Sequence, residues 1–184
     1  MLLAACYALG LMNTATFPPE SPALLTAGLP EFNIVMIYED AAAGRRAKRF
    51  SDRLLCEIGD QYRCVRNLWS FDALSLTDVR NAAAGIARIA DLVVVSASGD
   101  RDLTPQVGGW LDLWAWMIDG STPALVALFE NREGEITQRI RGKLSALARD
   151  KQLEFFPHMT SKPSAGFINA ELERLAGSSR WFAN

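Results

Sequence analysis

The sequence predicts an α/β domain in which helices cover both faces of an open, five-stranded parallel sheet. Continuous apolar runs at residues 34–38, 92–95 and 124–129 indicate strands that are buried on both faces. Helical patterns alternate with these runs along the chain, which is typical of strand–helix–strand units. Right-handed crossovers between parallel strands then give a three-layer αβα sandwich.

Two further segments have a mixed composition that is typical of the edges of a sheet. Residues 62–69 contain Arg63, Arg66 and Asn67, and the short run at 153–156 stops at Pro157. Central strands carry few charges, and a proline cannot donate to a neighbouring strand. The second and fifth strands are therefore predicted at the edges, which gives the sheet order 2-1-3-4-5.

The helices follow the strands in order. Asp40 can cap the first helix, Ser75 with Asp78 approximates a capping box for the second, and Thr104 caps the third, which runs to about Asp119. Apolar residues at spacings of three and four mark a fourth and a fifth helix, namely Ile136, Ile140, Leu144 and Leu147, and then Ile168, Leu172 and Leu175. The basic run 45–53 on the first helix is interpreted as a solvated face.

Composition and charge narrow the function classes. The chain has 184 residues, a net charge of −2, three cysteines and one histidine. The charge gives no support for a nucleic-acid or membrane partner, and the cysteine count predicts free thiols in the cytoplasm. The proline-containing residues 1–31 are interpreted as an N-terminal arm or linker, and 32–184 as one domain.

In open parallel sheets, ligands bind beyond the carboxyl ends of the strands, where the strand order reverses. Here that point lies between strands one and three. The loops that follow these strands, with neighbouring positions after strand two, predict a ligand site formed by Tyr38, Glu39, Asp40, Trp69, Asp72, Ser96, Ser98, Gly99 and Asp100. Its acids can hold a cation or share a proton, but turns and helix caps use such carboxylates more often, and no metal site is assigned.

The stretch from Ala90 and Asp91 through Pro105 to Trp114 resembles the same part of NAD(P)H-dependent FMN reductases, which are flavodoxin-like proteins. The resemblance implies FMN as a cofactor. The loop 96–100 lacks the motif that lies under the flavin ring in that family. In addition, Glu39 and Asp40 stand where flavin binders place hydroxyl and N–H groups around the phosphate, and two carboxylates would repel it.

The acid pair Glu39 and Asp40 also resembles that of response-regulator receiver domains, as does the Lys-Pro pair at 162–163. Receiver domains require a phosphoacceptor Asp at the end of strand three, where this chain has Ser96 or Ala97. Without that carboxylate no aspartyl phosphate can form. The favoured hypothesis is a binding or regulatory module that is not phosphorylated, and an FMN-dependent reductase is the alternative.

A third hypothesis depends on Asp112, in the helix after strand three. Enzymes of related folds that cleave N-glycosidic bonds carry a catalytic Glu on this helix, although their approach motif is absent here. The same helix contains Trp110, Trp114 and Trp116 and is apolar on nearly every side. We interpret Trp110 and Trp114 as a homodimer interface, with coverage by the N-terminal arm or burial in the core as alternatives.

Overall fold

The computed structural model describes residues 29–58, 62–118, 123–130 and 133–160. Strands and α-helices alternate through these residues. In chain order they are β1 (Glu31–Tyr38), α1 (Ala41–Ile58), β2 (Arg63–Ser70), α2 (Thr77–Ala87), β3 (Leu92–Ala97), α3 (Pro105–Met117), β4 (Ala124–Glu130), α4 (Glu135–Asp150) and β5 (Glu154–Thr160). A 3-10 turn at Ala73–Ser75 precedes α2.

The five strands form one parallel sheet in the order β2-β1-β3-β4-β5, so the predicted order is confirmed. Successive residues of β1 enter different apolar clusters, because side chains alternate between the faces of a sheet. Ile34 and Met36 pack with Ala47 and Leu54 of α1. Val35 and Ile37 pack with the cluster that contains residues of α2, α3 and α4. The architecture is the predicted flavodoxin-like three-layer sandwich.

Three predicted element boundaries are wrong. Pro157 does not end the last strand, since β5 continues to Thr160. It lies on an edge strand, where the missing N–H of a proline can face away from the sheet. Ser75 is not a cap of α2, because the helix begins at Thr77 after Leu76, and the Ser75 hydroxyl donates to the Asp72 carbonyl. Helix α3 ends at Met117, before Asp119.

The interface assigned to Trp110 and Trp114 is not supported by their positions. Both indoles are fully buried in the core of this chain, stacked with their ring centroids 5.9 Å apart. The Trp114 Nε1–H donates to the Ala87 carbonyl at 3.0 Å. Neither side chain is available to a partner, whereas Trp116 is 77% exposed. A homodimer stays a prediction, and it would have to use other residues.

Several predictions concern residues outside those that the structure describes. They include most of the N-terminal arm, the fifth helix and the Lys-Pro pair at 162–163. Within the described ranges, no helix is long and apolar enough to cross a membrane.

Candidate functional site

The loops that follow β1 and β3 meet at the point where the strand order reverses. Tyr38 at the end of β1 is paired with Ser96 of β3. The contact continues beyond the strands, because the Glu39 amide donates to the Ser96 carbonyl at 3.0 Å. The predicted loops are therefore adjacent, as expected for a parallel sheet.

Glu39 links the two loops through its carboxylate. One oxygen, Oε2, accepts from the Ser98 amide at 2.6 Å and from the Ser98 hydroxyl at 2.7 Å. The other oxygen, Oε1, accepts from Arg101 Nε at 3.1 Å and forms an ion pair with its Nη2 at 3.0 Å. The Glu39 side chain is only 8% exposed, although the Arg101 side chain is 76% exposed. Both carboxylate oxygens thus have partners from the β3–α3 loop.

The other loop acids have different roles. The Asp40 carboxylate accepts from the Ala43 amide at 2.8 Å, so the predicted cap of α1 is confirmed. Asp72 and Asp100 are exposed in turns, and the Asp100 amide donates to the Ser98 hydroxyl at 3.2 Å. In the part of the chain that the structure describes, no group of three or more His, Cys, Asp or Glu residues is arranged to hold a metal ion.

Arg46 is a site residue that the sequence analysis missed. Its side chain, predicted to lie on a solvated face, is buried at the carboxyl ends of the strands. Arg46 Nη1 donates to the Ala97 carbonyl at 3.1 Å and to the Ser96 hydroxyl at 3.3 Å. Nη2 lies 3.5 Å from the Glu130 carboxylate. The sequence signal for this position is its spacing, since Arg46 lies between Ala43 and Ala47 on the buried side of α1.

The charge of Arg46 is balanced by three acids, two from the β1–α1 loop and one at the end of β4. Burial lowers the pKa of its guanidinium, and the nearby carboxylates of Glu130, Asp40 and Glu39 act in the opposite direction. An arginine remains protonated despite moderate shifts of its pKa. The buried cation therefore provides fixed positive charge among the acids of this edge.

Ser96 cannot act as an accessible nucleophile in this arrangement. Its side chain is fully buried. The hydroxyl donates to the Ala43 carbonyl at 2.9 Å and accepts from Arg46. Nucleophilic catalysis by serine requires an adjacent general base and access to substrate. The contacts of Ser96 instead fasten β3 to helix α1.

Gly99 shapes the loop that surrounds Glu39. Its φ is +85°, a left-handed conformation that glycine adopts without steric cost. A Cβ atom at this position would lie 2.2 Å from Thr137 Oγ1 of α4. The Thr137 hydroxyl in turn donates to the Gly99 carbonyl at 3.4 Å. The close approach of α4 and the turn at Gly99 both hold the β3–α3 loop in place.

Aromatic side chains also lie near the carboxyl ends of the strands. Trp69 at the end of β2 is partly buried against the core, and its indole nitrogen is buried with no hydrogen-bond partner among the described residues. The ring of Tyr38 lies against Gly44, where an added Cβ would be 3.1 Å from the ring. The predicted site residues on β1, β2 and β3 therefore lie at the carboxyl ends of their strands.

Asp112 belongs to a different part of the surface. It lines a cavity of about 400 Å³ between α3 and α4, together with Lys143 and apolar residues that include Leu111 and Leu144. Lys143 is paired with both carboxylate oxygens of Asp102 at 2.9 Å. None of the residues predicted to form the ligand site lines this cavity. An N-glycosidase role for Asp112 stays a prediction.

Comparisons with known proteins show likeness in structure only. No family model matches the chain, and no curated protein matches it. An oxidoreductase from Corynebacterium diphtheriae is 10% identical, with 80% of this chain and 93% of that chain covered and a TM-score of 0.57. General stress protein 14 from Treponema denticola, solved in complex with FMN, is 11% identical, with 79% and 96% covered and a TM-score of 0.47. At such low identity, the first match shows the shared fold alone.

We expect Arg46→Ala to destabilise the protein by about 2–4 kcal/mol, because it removes the hydrogen bonds to Ser96 and Ala97 and leaves a space beneath α1. Arg46→Met, which restores part of the packing, should cost less. Urea unfolding measures both, with Arg45→Ala on the exposed face of α1 as the matched control, expected within about 0.5 kcal/mol of wild type. Equal effects at positions 45 and 46 would contradict the buried position of Arg46.

We also expect Gly99→Ala to destabilise the protein by about 2 kcal/mol or more, because a left-handed backbone and contact with Thr137 both oppose a Cβ atom. Gly85→Ala is the matched control, since a Cβ there meets no atom within 4 Å. Alanine in that helix should stabilise by up to about 1 kcal/mol. Thermal unfolding in which Gly99→Ala is as stable as wild type would show that the described loop conformation is wrong.

Proposed function

We propose that this chain is a binding or regulatory module that resembles a receiver domain but is not phosphorylated. The observation that carries the proposal is the environment of Ser96. This residue lies near the end of β3, where receiver domains have their phosphoacceptor, and it is buried with its hydroxyl bonded to α1. The position offers neither a carboxylate nor access for a phosphodonor.

The neighbouring acids do not replace the missing acceptor. An attacking carboxylate needs a free oxygen that can reach the phosphorus atom. Glu39 uses both of its oxygens on Ser98 and Arg101, whereas Asp40 accepts from the Ala43 amide through one oxygen, as the cap of α1. Glu130 is exposed but forms an ion pair with Arg46. These contacts support a structural role for the three acids. They favour ligand binding over phosphoryl transfer as the activity at the carboxyl ends of the strands.

An FMN-dependent NAD(P)H reductase is the second candidate. The stretch that resembles those enzymes folds as β3 and α3, and Thr104 caps α3 through its hydroxyl, which accepts from the Val107 amide. Against this candidate, the first turn of α1 follows Glu39 and Asp40. Each carboxylate would repel a nearby phosphate by about 1–4 kcal/mol, depending on exposure to solvent. The resemblance of β3 and α3 to those enzymes favours a reductase. The negative charges of Glu39 and Asp40 oppose the binding of FMN.

One pair of assays separates these candidates. The purified protein is incubated with acetyl phosphate and Mg²⁺, and separately with excess FMN followed by desalting. We expect no added phosphoryl mass and no flavin absorbance, because the acceptor is missing and acids flank the phosphate position. A receiver domain and a flavodoxin treated in parallel serve as positive controls.

A hydroxylamine-sensitive phosphoryl adduct on the protein would overturn the proposal, since hydroxylamine cleaves acyl phosphates. A retained stoichiometric flavin would replace the proposal with the reductase.

A further inference from the structure

The carboxylate of Glu39 lies among hydrogen-bond donors that the β3–α3 loop supplies. They are the amide and hydroxyl of Ser98 and the guanidinium of Arg101. We call these three groups the donor nest. The buried guanidinium of Arg46 adds positive charge at the start of this loop, where it donates to the Ser96 hydroxyl and the Ala97 carbonyl.

The chemistry of the donor nest suits oxyanions in general. Backbone amides at a turn, a hydroxyl and a guanidinium that can donate through two nitrogens are the groups with which proteins bind phosphate as well as carboxylate. The backbone of the loop that carries these donors is held by contacts that do not involve Glu39. Gly99, with its φ of +85°, and the contact between Gly99 and Thr137 fix the loop independently of the acid.

The contacts of the Glu39 carboxylate are those that a bound oxyanion would make. Asp40 and Asp100 are exposed, whereas the Glu39 side chain is 8% exposed and is contacted through both oxygens. Its backbone is held by the bond from its amide to the Ser96 carbonyl. The side chain can therefore leave the nest by rotation about its own bonds, without movement of β1.

We propose that the donor nest is a binding site for the phosphate group of a small molecule, and that Glu39 closes it as an internal, autoinhibitory ligand. An incoming phosphate displaces the carboxylate and takes over the bonds from Ser98 and Arg101. The inference rests on the binding role proposed above and names its ligand class. The proposed site differs from a flavin site at the start of α1, because its hydrogen-bond donors come from the β3–α3 loop.

The test is a calorimetric titration of inorganic phosphate into the full chain in buffer without sulfate. Glu39→Ala should bind phosphate at least about tenfold more tightly than wild type, because the internal competitor is gone. Glu130→Ala is the matched control. It also removes one carboxylate next to Arg46 but leaves the donor nest occupied, so its affinity should equal that of wild type.

A second substitution identifies the donors. Arg101→Ala in the Glu39→Ala background should abolish the gain, whereas Arg45→Ala, which removes an exposed cation of α1, should preserve it. If Glu39→Ala does not fold, Glu39→Gln is titrated instead, because the neutral amide keeps an acceptor oxygen and competes less well with phosphate.

Equal affinities of the Glu39 and Glu130 variants would overturn the inference, as would a gain that survives the loss of Arg101. Neither result bears on acyl-phosphate formation, so failure of this inference is distinguishable from failure of the proposed function.

Discussion

The guanidinium of Arg46 is buried where the carboxyl ends of β1, β3 and β4 meet, and the rest of this edge is arranged around it. It donates to the end of β3 and pairs with Glu130 at the end of β4, from a helix that begins directly after β1. A buried cation is tolerated only when hydrogen bonds and opposite charges surround it. The acids of the adjoining loops, Glu39 and Asp40 among them, meet that requirement. The buried charge of Arg46 thus ties α1 to the ends of β3 and β4, and the acids Glu130, Asp40 and Glu39 balance it.

The ligand position that this architecture usually offers is therefore occupied by the chain itself. The Glu39 carboxylate bridges to the β3–α3 loop, and Ser96 and Arg46 fill the space beneath. We propose that a ligand binds at the carboxyl ends of these strands only when its anionic group replaces the Glu39 carboxylate. The acid pair at the end of β1 serves contacts within the protein, since Glu39 binds the β3–α3 loop and Asp40 caps α1.

Much of the fold follows from local patterns in the sequence. Strands such as 92–95 and 124–129 are apolar throughout because both faces of the sheet are covered. The caps at Asp40 and Thr104 depend on neighbouring residues only, so their chemistry is visible in the sequence. The adjacency of the β1–α1 and β3–α3 loops could be predicted as well, because strand order decides which strand ends are neighbours.

The contacts inside the site could not be predicted, because they join residues that are far apart in the chain. Arg46 sits in a run of basic residues that are otherwise exposed, and its spacing from Ala43 and Ala47 places it on the buried side of α1 without revealing its partners Ala97 and Glu130. Pro157 shows the same limit in the fold, since a proline that would end an isolated strand is accepted at the edge of a sheet. Trp110 and Trp114 were assigned to an interface because periodicity does not reveal how much core a helix must fill.

Amide hydrogen exchange at Ser98 tests the central claim most directly. The amide of Ser98 donates to the Glu39 carboxylate, so it should be protected in the wild-type protein although it lies in a loop. The account predicts that Glu39→Ala removes this protection and that Glu130→Ala does not. A Ser98 amide that exchanges in wild type as fast as an open loop, or that stays protected without Glu39, would contradict it.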